Sequence, residues 1–97
     1  MKKTEKEIEQ KLKSKIENLG GLCLKWTSPG IRGVPDRICI MPGGDVLFVE
    51  LKAEGKKNNL SPLQKNFHKK LKTLGHMVWV VSYYEEVNDL IETWRMS

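Results

Sequence analysis

Asp36, Glu50 and Lys52 are the side chains whose types and spacing could do chemistry. The stretch that carries them, GVPDRICIMPGGDVLFVELK from Gly33 to Lys52, reads as two strands joined by a tight turn. Period-two alternation puts Asp36, Ile38 and Ile40 on one face of the first strand. It puts Val46, Phe48, Glu50 and Lys52 on one face of the second. If Ile40 pairs with Val46 across a five-residue loop containing Pro42, Gly43 and Gly44, Asp36 lies opposite Glu50. Lys52 then projects from the same side, two residues further on. A purely structural ion-pair trio explains these residues poorly. An exposed bridge is worth only ~0–1 kcal/mol, and a buried one commonly fails to recover its desolvation. Two carboxylates are instead hard oxygen donors suited to Mg2+ or Mn2+ with several retained waters.

The fuller context, RGVPDR, then VELK, then LSPLQ with Gln64, resembles the VRR-NUC family of the PD-(D/E)xK nuclease superfamily. The likeness runs from about Glu5 to Val87. The Asp/Glu-x-Lys core alone is weak evidence, whereas GVPD, VELK and Gln64 together are fairly specific. The resemblance implies a restriction-endonuclease-like α/β fold and phosphodiester hydrolysis. The implied metal ligands are Asp36, Glu50 and the backbone carbonyl of Leu51. Lys52 would orient or deprotonate the attacking water, or stabilise the pentavalent centre, and Gln64 would face the site. Family members also carry an acid on the first helix. Glu5 and Glu9 are both candidates for it, and Glu5 aligns better with the apolar stripe.

Stand-alone relatives look like Holliday-junction resolvases working as homodimers. One 97-residue domain supplies one site, so symmetric nicking of two strands requires two copies. A flap-specific or nicking endonuclease is the competing enzyme reading. A DNA-binding accessory protein with a vestigial motif is the non-enzymatic one, against which the intact Asp, Glu and Lys argue.

The elements that must position these residues follow from pattern. Thr4 and Glu7 form a capping box ahead of a helix with Ile8, Leu12, Ile16 and Leu19 as its stripe, ended by Gly20-Gly21. Leu22–Thr27 is a first strand. Ser61 and Pro62 open a second helix, on which Leu63, Phe67, Leu71 and Leu74 give the expected buried stripe. His68 reads as structural or solvated, since a lone histidine with no spaced partner makes a poor metal site. Met77–Ser82 is a valine-rich run expected to be a strand covered on both faces, and Val87, Leu90, Ile91 and Trp94 mark a last helix. The expected architecture is α-β-β-β-α-β-α, an αβββαβ core with an extra C-terminal helix and a mixed sheet flanked by helices.

Residues 1–97 make one domain, with no room for a second core. Net charge is +5, which suits a polyanionic partner without proving one. Lys25, Arg32, Arg37, Lys56 and Lys57 are the candidate DNA contacts beside the acids, and Trp26 could stack on a base but is more ordinary as core. Cys23 and Cys39 are expected as buried free thiols in a reducing cytosol. No stretch approaches the ~20 apolar residues of a membrane span, and the N-terminus leads into an amphipathic pattern. The expectation is a protein of the bacterial or phage-infected cytoplasm.

Overall fold

The chain folds as α1 (Glu5–Asn18), β1 (Leu22–Lys25), β2 (Arg37–Ile40), β3 (Val46–Leu51), α2 (Pro62–Thr73), β4 (Met77–Val81) and α3 (Glu86–Arg95). This computed structural model describes residues 1–97. The four strands lie in chain order, β1–β2 and β2–β3 antiparallel and β3–β4 parallel. The parallel pair requires a crossover, which α2 provides.

The hairpin has the register its alternation demands. Ile40 pairs with Val46 and Arg37 with Val49, so Asp36, one residue ahead of β2, stands opposite Glu50. The turn closes through Met41 N–H donating to the Asp45 carbonyl at 2.8 Å. Gly43 and Gly44 take φ of 92° and 102°, left-handed values that suit residues without a Cβ.

α1 begins with the reciprocal Thr4–Glu7 capping box and buries Ile8, Leu12 and Ile16 completely. With Val87 and Leu90 of α3 these side chains cover the sheet face formed by Cys23, Cys39, Leu47, Val49 and Leu51. Cys23 and Cys39 pair directly across β1 and β2 as free, buried thiols, sulfurs 3.8 Å apart.

The opposite face is covered only in part, because α2 lies against the β4 end. Three sequence expectations are corrected here. Leu63 and Leu74 are not buried on α2; they are 48% and 75% exposed. The inward side of the helix is instead His68 and Leu71, with Phe67 and Gln64 half-buried beside them. A twelve-residue helix at one end of a sheet presses only a narrow arc against it. The Leu63 backbone backs the β1–β2 loop: a Cβ on Gly33 (φ +87°) would fall 2.4 Å from the Leu63 carbonyl oxygen, so no other residue fits there. β4 is likewise not covered on both faces. As an edge strand it leaves Met77 to Val80 half-buried and only Val81 fully enclosed. β1 ends at Lys25, two residues short of the expected strand, although Trp26 N–H still donates to the Asp36 carbonyl.

Candidate active site

Asp36, Glu50 and Lys52 meet where β2 begins and β3 ends, on the α2 side of the sheet. Asp36 sits in the bend leading into β2, and its Oδ2 accepts the Leu51 N–H at 2.8 Å. That bond continues the hairpin ladder through a side chain and fixes the carboxylate against β3. Glu50 is enclosed, its side chain only 3% exposed. Its Oε2 accepts from Gln64 Nε2 at 3.1 Å and lies 3.6 Å from Lys52 Nζ. Lys52 Nζ in turn donates to Gln64 Oε1 at 3.3 Å.

Gln64 therefore does two jobs. It closes the α2 capping box, with its N–H donating to Ser61 Oγ at 3.2 Å and its Oε1 accepting the Ser61 N–H at 2.9 Å. The same amide bridges Glu50 and Lys52. Formation of the helix start thus aligns the site.

Burial, then the nearby Asp36 charge, push the Glu50 carboxyl up to about 8, against the partial relief that Lys52 gives. Glu5, exposed on the first turn of α1, is also raised, first by partial burial and then by the Asp36 charge, with Lys52 offsetting part of the rise. The Glu9 carboxylate is instead held by Arg37 Nε at 2.9 Å on the other side of the sheet. Arg37 is correspondingly not a DNA contact: it is 7% exposed and spends a second N–H on the Cys23 carbonyl. Alternation explains the correction, since Arg37 follows Asp36 and must point to the opposite face. Lys57 is paired with Glu86 at the start of α3, which removes it from the free cations. Lys25, Arg32 and Lys56 are exposed and make no ion pair. Trp26 packs on Phe48 and Phe67, ring centroids 5.4 and 5.5 Å away, as part of an aromatic cluster under the site.

His68 is the site residue that sequence reasoning missed. It is buried at 5% exposure, and its Nε2 stands 3.9 Å from Glu50 Oε1. Burial and the charges of Lys72 and Lys52 hold its pKa below the ordinary histidine value, so it is neutral at pH 7. Its spacing from Gln64, one helical turn, was the available signal.

The donor set fits a hard divalent cation. The Asp36 charge adds to the proton affinity of Glu50, a repulsion that a cation relieves, and Glu50 Oε1 is buried without any hydrogen-bond donor. No three His, Cys, Asp or Glu side chains form a protein-only cage.

No protein-family model matches the chain. The sequence is 46% identical over 77 residues to "Putative nuclease p44" of Acyrthosiphon pisum secondary endosymbiont phage 1, covering 79% of this chain and 81% of that protein. A solved structure described as a VRR_NUC domain superposes with a TM-score of 0.79 at 34% identity, covering 93% of this chain and 96% of that one. The chain belongs to the VRR-NUC family. Its mixed four-stranded sheet and flanking helices are the VRR-NUC nuclease fold. In this VRR-NUC domain no helix is long and apolar enough to cross a membrane.

Proposed function

We propose that this VRR-NUC protein is a divalent-metal-dependent DNA endonuclease that cuts branched DNA, as a Holliday-junction resolvase working as a homodimer in the bacterial or phage-infected cytoplasm. The observation that carries the reading is the buried Glu50 carboxylate opposite Asp36, tied to Lys52 through Gln64 and left with one oxygen unclaimed. Asp36, Glu50 and the Leu51 carbonyl would hold Mg2+, or Mn2+ in its place, with Glu5 on the open side towards a second ion or its waters. When bound, the ion supplies Lewis acidity to the scissile phosphate and acidifies water at the site. Lys52 orients the attacking water or stabilises the charge that accumulates on phosphorus. Gln64 keeps Lys52 and Glu50 in a fixed relation while this happens. Lys25, Arg32 and Lys56, exposed and outside any ion pair, would meet the DNA backbone. The junction preference rests on the family resemblance and on the two-fold symmetry that paired cuts require.

The test is to incubate labelled four-way junction, flap and linear duplex with Mg2+ and with EDTA. Paired symmetric nicks confined to the junction, lost in EDTA, are the expected outcome. Flap-only cutting would replace resolvase by a flap or nicking endonuclease. Tight, salt-sensitive binding without any metal-dependent product would make the protein a non-catalytic DNA-binding accessory.

A further inference from the structure

Three buried side-chain atoms in the chain have no hydrogen-bond partner: Glu50 Oε1, His68 Nε2 and Ser82 Oγ. The first two face each other at 3.9 Å, just beyond hydrogen-bond reach. A leucine would serve the packing at this position better, for His68 sits one turn from buried Leu71 on the inward arc of α2. The other carboxylate oxygen, Oε2, is already occupied by Gln64 and neighboured by Lys52. Two consecutive turns of one helix thus address the two oxygens of one carboxylate.

We infer that His68 is a positioning residue of the Asp36–Glu50 centre: its Nε2–H holds the Oε1 edge of Glu50 and fixes how the carboxylate is turned towards Asp36. An oxygen carries two lone pairs, so Oε1 can accept from His68 and still face a cation. The 3.9 Å separation lies within a small side-chain adjustment of hydrogen-bond reach. Outer partners of this kind raise metal affinity and activity by orienting the ligand. The inference rests on the proposed metal site.

The experiment is calorimetric titration of the DNA-free protein with Mn2+, on the parent, Glu50→Gln, His68→Leu and His68→Gln, each followed by steady-state cleavage. The parent binds and Glu50→Gln does not. His68→Leu, whose apolar side chain suits the buried position, melts no lower than the parent. It binds Mn2+ at least about tenfold more weakly, and loses kcat with KM for DNA unchanged. His68→Gln, with an amide N–H at similar reach, recovers most of both. Parent-like Mn2+ affinity and kcat in folded His68→Leu overturn the role of His68 while leaving the metal site standing. Failure of the parent itself to bind Mn2+ overturns both.

Discussion

The two faces of the sheet are built on opposite rules. On the side of α1 and α3, Ile8, Leu12, Ile16, Cys39, Val49, Val87 and Leu90 are fully buried, and the one enclosed charge, Arg37, is matched by Glu9. On the α2 side Phe48 and Leu71 are enclosed together with the polar Glu50 and His68, whose facing atoms are unpartnered, while Leu22, Leu24 and Ile40 remain open to solvent. The charges divide the same way. Residues 55–84, which include α2, contain six lysines and no acid, whereas α3 and the residue before it carry Glu85, Glu86, Asp89 and Glu92 against Arg95. One face therefore supplies cohesion, and the other keeps polar groups in strained electrostatic company, which only a stable opposite face allows.

The sharpest way to break this comparison is to alter the α2 side and measure both properties. Asp36→Ala or Lys52→Ala should lower cleavage by about 1,000-fold or more, with the thermal midpoint and junction affinity little changed. Parallel loss of folding would show that the acids are structural after all. The converse substitution, Leu12→Ala on the cohesive face, should cost about 2–5 kcal/mol by denaturant titration, a large part of the stability of so small a domain. Cleavage per folded molecule should stay the same, and a selective loss of activity would dissolve the division of labour.

The pH dependence sharpens it further. Glu50 is raised to about 8 in the folded protein, above its ordinary value of 4.5, so the native state holds a proton that the unfolded state has released. The metal-free protein should lose stability as pH rises from about 4.5 to about 8, by an amount on the order of a few kcal/mol, and level off above. His68, depressed below its ordinary value, acts in the opposite sense, destabilising the fold as pH falls below about 6.5. Melting curves of the parent and Glu50→Gln across this range isolate the Glu50 contribution, and a pH-independent difference between them would refute it. Saturating Mg2+ should flatten the same slope. The smallest effect is expected from the exposed cations beside the site: replacing Lys25, Arg32 or Lys56 by Ala should weaken junction binding modestly. Each phosphate contact removed should lower the slope of log affinity against log salt by about 1, and unchanged slopes would place the DNA elsewhere.

Much of this was legible in the chain. The hairpin register followed from alternation and the glycine turn, and with it the Asp36–Glu50 juxtaposition. Thr4 and Ser61 announced both capped helix starts. What escaped was the inward side of α2: a leucine pattern pointed to Leu63 and Leu74, yet His68 is what the sheet encloses. Hydrophobic periodicity marks a helical arc only to within a residue or so, and which arc is covered depends on where the helix lies over the sheet. Between Glu5 and Glu9 the stripe gave only a preference for Glu5, for a related reason, and it is the Arg37 pairing that takes Glu9 to the other side.

By itself, then, the sequence determined what depends on neighbours along the backbone: element order, the hairpin register, caps, and the meeting of two acids with one lysine. Only the tertiary structure decided which charges are free, which are already claimed, and which helix face looks onto Glu50. Those outcomes depend on contacts between segments far apart in the chain, and local periodicity carries no information about such distances.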